Sequence, residues 1–130
     1  MLRSLTCIIF VTLCSAASLF AQNSDYSFAS KQVDLGTVKK GESKASFFEF
    51  TNTGKEDLII ELVSSCECTS LSWTRGPITP GSKGRIDFVF DSSKKDLEET
   101  IDVDLYFRKA SDTESDGYFE ILNYKYKFAD

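Results

Sequence analysis

The residues best suited to chemistry are two cysteines separated by one residue. Cys66 and Cys68 flank Glu67 and are two of the four cysteines in the chain. Two such thiols can form a disulfide, exchange with other thiols, or bind a soft metal such as Cu(I). The chain contains no histidine, which excludes Ser-His-Asp and Cys-His nucleophilic sites and removes the commonest metal ligand. Any other catalytic chemistry would have to come from carboxylates.

The strand that precedes the cysteines predicts where their side chains point. In the apolar run 58–63, period two places Leu58, Ile60 and Leu62 on one face. If the same register continues, both cysteines face the core, where they would be inert, space-filling thiols. An oxidising compartment favours a disulfide instead, but alternate residues of an extended strand lie about 6.6 Å apart, near the upper limit for bridged Cα atoms.

A disulfide between the two cysteines therefore requires a bend at Glu67. Glutamate adopts unusual φ values less easily than glycine, and a strained bridge would be easily reduced, which links this motif to redox function. The third alternative is a Cu(I) half site, but beyond the leader the chain offers no His or Met to complete it. Buried thiols, a disulfide and a soft-metal site all remain open at this stage.

Carboxylates supply a second set of candidates. Asp102 and Asp104 would share one face of a strand about 7 Å apart, a spacing that could hold a cation, although strands that face water on one side show the same pattern without function. The acidic stretch 112–117 has oxygen ligands at alternating positions but lacks the final Glu of a calcium-binding EF-hand loop. The solvated interpretation is favoured for both.

Aromatic residues near the strand ends are further candidates. They could form a recognition surface, although Trp and Tyr in a sandwich more often pack at its ends. The residues in question are Trp73, Tyr118, Tyr124 and Tyr126.

The N-terminal segment predicts the compartment. Residues 1–21 combine Arg3, an apolar run over residues 5–17 and the small residue Ala21 before a polar stretch, which is typical of a cleaved secretory signal peptide. The run is too short to be a membrane-spanning helix of about 20 residues. We therefore expect an extracytoplasmic protein, periplasmic or secreted, with one mature domain over residues 22–130.

The net negative charge of the chain limits the classes of partner that it can bind. The formal net charge is −5, and the chain has no long basic cluster. Nucleic acids and anionic membrane surfaces both select for Lys and Arg patches, so neither is expected as a partner. With no histidine and no evident cofactor motif, we expect neither an enzyme nor a cofactor or resident metal.

Short alternating runs separated by turn residues indicate the fold class. Phe48 and Phe50 share a face, as do Ile86, Phe88 and Phe90. The clearest alternation covers residues 99–107, where apolar side chains alternate with acidic ones. About seven short strands over roughly 100 residues predict an all-β, antiparallel, immunoglobulin-like sandwich.

The order of several motifs resembles a known family. The motifs are Asp34-Leu35-Gly36-Thr37-Val38, Phe48-x-Phe50-Thr51-Asn52-Thr53-Gly54, Ser65-Cys66-x-Cys68-Thr69, Ile78-x-Pro80-Gly81 and Val89-Phe90-Asp91-Ser92-Ser93. Over about residues 28–107 they are similar to the bacterial domain-of-unknown-function 1573 family, which is related to the Hydin-type domains. The resemblance implies a secreted immunoglobulin-like domain without an established activity. The chain departs from the family pattern at Glu67, where glycine is usual.

Together these observations predict a non-enzymatic binding or scaffolding module of the cell envelope. Its expected partner is an envelope protein or a glycan. The alternative is a thiol–disulfide or soft-metal handling protein that uses Cys66 and Cys68.

Overall fold

The computed structural model describes residues 25–112 and 117–130. The predicted signal peptide and residues 113–116 of the acidic stretch lie outside this part of the chain. The described strands are β1 (Tyr26–Phe28), β2 (Gln32–Val38), β3 (Ser43–Asn52), β4 (Leu58–Ser64), β5 (Thr69–Trp73), β6 (Lys83–Asp91), β7 (Thr100–Lys109) and β8 (Tyr118–Phe128). A single 3-10 turn, Ser92–Lys94, follows β6 within the same ranges. None of the described residues forms a helix long and apolar enough to cross a membrane.

The strands form two sheets around a common core. The first sheet has the order β1-β3-β6-β5 and the second has the order β2-β8-β7-β4. This confirms the predicted all-β sandwich. The expectation of purely antiparallel pairing is wrong at one place, because β2 and β8 run parallel.

Two short strands of the first sheet were not expected. Segment 26–28 falls in the polar stretch 22–32, which the sequence indicates to be a loose lead-in, and the sequence pattern assigns no element to segment 69–73. Both lie at the edges of the sheet, where a strand has one neighbour and needs few apolar residues. They are only three and five residues long, so their alternation covers too few apolar residues to distinguish a strand from a loop.

Alternation correctly predicts the inward faces of the central strands. Phe48 and Phe50 of β3 are buried, whereas Phe47 between them is 43% exposed. The predicted inward residues of β6 and β7 are buried as well; they are Ile86, Phe88, Phe90, Ile101, Val103, Leu105 and Phe107. The two sheets thus enclose one apolar core, dominated by aromatic rings.

A β-bulge in β4 changes the predicted register. Ile60 pairs with Phe107 and Leu62 pairs with Tyr106, which leaves Glu61 as the extra residue. Beyond the bulge the inward side is reversed, because one inserted residue exchanges the two faces of a strand. Val63 is therefore buried and Leu62 is 50% exposed, so the prediction that Leu62 faces the core is wrong.

The long connection between β5 and β6 closes one end of the sandwich. Ile78, its only apolar residue, is buried, and its backbone exchanges two hydrogen bonds with Leu58. The buried amide of Asn52 donates through Nδ2 to the carbonyl oxygens of Ile78 and Glu56, at 2.9 and 2.8 Å. This end of the fold is therefore held by one apolar plug and one polar hub.

Candidate functional site

The two cysteines lie in a tight turn that crosses from the second sheet to the first. β4 ends at Ser64 and β5 begins at Thr69, and the Thr69 amide donates to the Cys66 carbonyl oxygen at 3.1 Å. The backbone is thus bent at Glu67, and the strand register that would carry both sulfurs toward the core does not continue through the motif. Among the described residues no side-chain-bearing residue has a positive φ, so Glu67 fits the bend without a left-handed conformation.

The bend brings the sulfur atoms together. Cys66 and Cys68 form a disulfide, and their Cα atoms lie 5.2 Å apart, well inside the range for bridged cysteines. Cys68 is only 3% exposed and belongs to the core. Cys66 is partly exposed and packs against the edge of that core. The expectation that both cysteines face the core therefore holds for Cys68 alone, and whether the pair has a redox role stays a prediction.

Hydroxyl groups surround the disulfide on its inner side. Thr69 Oγ1 lies 3.3 Å from Cys66 Sγ and 3.5 Å from Cys68 Sγ. The Tyr124 hydroxyl lies 2.5 Å from Thr69 Oγ1 and 3.9 Å from Cys68 Sγ. Burial raises the pKa of Tyr124 to about 12, although its hydrogen bond with Thr69 acts in the opposite direction. The two hydroxyls are hydrogen-bonded to each other, which uses one of their two protons. When Tyr124 donates to Thr69, the Thr69 hydroxyl is free to donate to one of the two sulfurs.

A cation lies on the outer side of the same turn. Lys94 Nζ donates to the Glu67 carbonyl oxygen at 3.2 Å, and Ser65 Oγ donates to the Asp102 carbonyl oxygen at 2.7 Å. These contacts fix the turn to the 3-10 segment and to β7. The sulfur pair is therefore held by the fold on both sides of the sandwich.

The structure brings no set of metal ligands together among the described residues. Groups of three or more Cys, Asp or Glu side chains that could hold a metal ion are absent from this part of the chain. The two sulfurs of the proposed Cu(I) half site are bonded to each other. In this state they cannot act as a pair of thiolate ligands.

A second feature, on the outer face of the second sheet, was not predicted. Four apolar side chains are 39–50% exposed there and form what we call the outer patch; they are Leu62, Tyr106, Phe119 and Ile121. Of the seven large, exposed apolar side chains in the described residues, these four share one face.

Strand pairing makes the outer patch continuous. Leu62 pairs directly with Tyr106 across β4 and β7, and Tyr106 pairs with Phe119 across β7 and β8, with ring centroids 4.8 Å apart. Ile121 lies two residues beyond Phe119 on the same face and opposite Asp104. A row of three apolar side chains with a fourth beside it thus lies in the water-facing layer.

Charge is distributed unevenly around the outer patch. At one end, Arg108 Nε bonds Glu61 Oε1 at 2.5 Å, so this cation is already paired. At the other end lie Asp104 and Asp102, which form no ion pair with any residue in the described ranges. The patch therefore has a net acidic border, and the expectation that the two aspartates face water is consistent with their position on this face.

The sequence did contain signals for this surface. In β8, apolar and aromatic residues occupy both faces, since Tyr118 and Phe119 are adjacent and Ile121 and Leu122 are adjacent. A strand that is apolar on both sides is expected to be covered on both sides. The position of Leu62 had no such signal, because it depends on the bulge at Glu61.

The four predicted recognition aromatics do not come together on one surface. Tyr124 and Tyr126 are buried in the core, and Tyr118 stacks on Phe107. Trp73 lies on β5 beneath the Arg75 guanidinium, 4.0 Å from it. Core packing therefore accounts for the positions of Tyr118, Tyr124 and Tyr126. Trp73 lies on a different sheet from these three tyrosines.

Solved structures with a similar fold come from several kinds of protein. The PapD-like domain 7 of human CEP192 superposes with a TM-score of 0.68 at 13% identity, over 82% of this chain and 87% of that one. A protein of unknown function from Porphyromonas gingivalis W83 superposes with a TM-score of 0.63 at 15% identity, over 85% of this chain and 51% of that one. The Vibrio cholerae VesB protease superposes with a TM-score of 0.63 at 15% identity, over 79% of this chain and 32% of the protease chain. At such identities the likeness shows the fold alone, which is immunoglobulin-like and PapD-like.

Sequence comparison assigns the family. No curated protein matches the chain. A family profile described as "Protein of unknown function (DUF1573)" matches residues 26–115, which include all strands up to β7, the cysteine turn and two of the four residues of the outer patch, Leu62 and Tyr106. The chain therefore belongs to the DUF1573 family of proteins of unknown function.

Proposed function

We propose that this chain is a non-enzymatic binding module of the extracytoplasmic compartment that holds another protein against the outer patch. The observation that carries the proposal is the continuous row Leu62, Tyr106 and Phe119, half-exposed in the water-facing layer of a sheet. Single exposed apolar residues are common on protein surfaces, whereas contiguous groups of them that extend over several hundred Å² mark interaction sites. Aromatic residues are also enriched at protein interfaces. The predicted signal peptide and the disulfide support the compartment.

Charge favours a different protein over a second copy as the occupant. The border formed by Asp102 and Asp104 calls for Lys or Arg on the partner. A second copy that met it patch to patch would bring the same acidic border, with its Arg108 already paired with Glu61 and its Lys125 with Asp34, and two copies of net charge −5 repel each other. The expected partner surface is therefore apolar at its centre, with basic residues beside it.

Site-specific photo-cross-linking in the native envelope tests this proposal. We expect Tyr106→p-benzoylphenylalanine to capture one heterologous protein, and Phe47→p-benzoylphenylalanine to capture none. Phe47 is a matched control because it is 43% exposed on the outer face of the other sheet, where Arg85 covers it at 3.8 Å. The adduct must map to a partner segment that carries Lys or Arg next to apolar residues.

The affinity of outer-patch variants for the identified partner then tests whether apolar contact and acidic charge hold it. Leu62→Ser is expected to weaken affinity about tenfold, because it removes most of one apolar side chain from the contact. Asp102→Asn and Asp104→Asn are each expected to weaken it about two- to fivefold, with a reduced dependence on salt. Equal capture from both sheets, or an adduct that is a second copy of this chain, would overturn the proposal.

A further inference from the structure

We propose that the Cys66–Cys68 disulfide is a redox-active site, reversibly reduced in the folded protein by a protein dithiol that attacks Cys66. This inference concerns the cysteine turn alone and does not rest on the proposed binding role of the outer patch. The chain acts as the substrate of an oxidoreductase, which agrees with a non-enzymatic module.

The position of the disulfide shows that the fold does not depend on it. A bridge between residues two apart closes a very short loop, and such loops remove little entropy from the unfolded chain. The strands on either side are held by their own partners, since β4 pairs with β7 and β5 pairs with β6. Reduction is therefore expected to leave both sheets intact.

Burial directs the attack to one sulfur. Cys68 is 3% exposed, whereas Cys66 is partly exposed at the edge of the core. Thiol–disulfide exchange needs access of the attacking thiolate to one sulfur. The structure thus offers Cys66 as the sulfur that is attacked and Cys68 as the one that leaves.

A hydrogen-bond donor is in place for the sulfur that leaves. The Thr69 hydroxyl lies 3.5 Å from Cys68 Sγ and can donate to it when the Tyr124 hydroxyl, 2.5 Å from Thr69 Oγ1, donates to Thr69. Hydrogen bonds to an ionised group are stronger than those to a neutral one, so they favour the thiolate over the disulfide. The Lys94 ammonium at the Glu67 carbonyl adds positive charge next to the turn.

The reaction balances with a protein dithiol as the only co-reactant. A partner thiolate attacks Cys66 Sγ, the Cys66–Cys68 bond breaks, and its electron pair goes to Cys68, which then takes up a proton. The second thiolate of the partner attacks the partner's own sulfur in the mixed disulfide, and Cys66 leaves as a thiolate and then takes up a proton. The chain gains two electrons and two protons, and the partner dithiol is oxidised to a disulfide.

Redox titration of the intact protein in dithiothreitol buffers tests the first part. Samples reduced without denaturant are quenched in acid and labelled with maleimide in denaturant, so that a buried thiol is counted as well. Mass measurement is expected to show a reversible change from no free thiol to two at Cys66 and Cys68, with an unchanged circular dichroism spectrum before the quench. If reduction itself requires denaturant, or if it unfolds the protein, the proposal is wrong.

Single-cysteine variants test the direction of attack. In Cys68→Ser the thiol of Cys66 is expected to react with a disulfide reagent at least tenfold faster than the thiol of Cys68 does in Cys66→Ser. This follows from the difference in burial, and equal rates in two natively folded variants would refute it. Photo-cross-linking through the outer patch is expected to be the same in both variants, so failure of one proposal is distinguishable from failure of the other.

Variants of Thr69 test the role of the hydroxyl. Thr69→Val keeps the shape but removes the donor, and we expect dithiothreitol to reduce the disulfide about tenfold more slowly, as loss of one hydrogen bond to a charged group predicts. Thr69→Ser restores the hydroxyl and should restore the rate. If Val and Ser behave alike, the hydroxyl has no part in the exchange.

Discussion

The buried amide of Asn52 offers the sharpest test of what holds the fold together. Its side chain makes three hydrogen bonds: Nδ2 donates to the carbonyls of Glu56 and Ile78, and Oδ1 accepts from the Gly54 amide at 3.0 Å. At a net value of about 1 kcal/mol each, Asn52→Ala should lower the free energy of unfolding by about 3 kcal/mol. The Ile78 carbonyl also accepts from the Leu58 amide, so it is not orphaned and the loss should not greatly exceed this sum.

Urea unfolding without reductant measures this loss. With a slope of about 1–3 kcal/mol per molar urea, the midpoint should fall by about 1 M or more, with the slope unchanged. Asn123→Ala is the matched control, since Asn123 faces outward between Leu122 and Tyr124 on β8; its effect should stay within about 0.5 kcal/mol. A loss below about 1 kcal/mol at Asn52 would refute the assignment of a polar hub.

Three further predictions address the core and the cysteine turn. Gly84→Ala should lower the free energy of unfolding by about 1–3 kcal/mol, because its Cβ would lie 2.7 Å from Ile78 Cδ1 and closer still to the Phe50 ring. Tyr124, whose pKa is raised to about 12 by burial, keeps its proton between pH 10 and 12 when folded but loses it when unfolded. Stability should therefore fall as pH rises through that window, and less so in Tyr124→Phe. Glu67→Gly should cost about 0.5–1 kcal/mol through the greater entropy of the unfolded chain, because Glu67 already has a negative φ.

Each of these predictions has its own check. Lys83→Ala, an exposed neighbour of Gly84, should leave the urea midpoint nearly unchanged. The absorbance of tyrosinate, compared between wild type and Tyr124→Phe, reports the alkaline titration; ionisation near pH 10 would contradict the burial argument. A Glu67→Gly variant that is more stable than wild type would show that the turn strains its central residue.

The sequence predicted the inward-facing residues most reliably in strands that are buried on one side only. Alternation gave the correct inward residues of β3, β6 and β7, because a period of two leaves no choice once one face meets the core. The edge strands β1 and β5 are only three and five residues long, too short for alternation to identify them. The parallel contact of β2 with β8 joins segments far apart in the chain, which local patterns do not encode.

The candidate sites were harder to predict than the fold for specific reasons. The spacing of Cys66 and Cys68 identifies them as a motif, but period two predicts an extended strand where the chain makes a turn. That turn is stabilised by the contact of Thr69 with Tyr124, 55 residues away along the chain. The outer patch depends on the bulge at Glu61, which moves Leu62 to the water-facing side. Both sites thus arise from long-range pairing, which period alone cannot reveal.

The place of β8 in the second sheet has a consequence for how the chain is made. β8 is the last described strand in sequence but lies between β2 and β7, and its Leu122 and Tyr124 fill the core. Until residues 118–128 have been synthesised, β2 has no neighbour in its sheet, and the strand that joins it to β7 is missing from the middle of the second sheet. Pairing between such distant segments is slow, and exposed strand edges invite aggregation. We therefore expect nascent chains that end before Tyr118 to remain unfolded and to depend on chaperones.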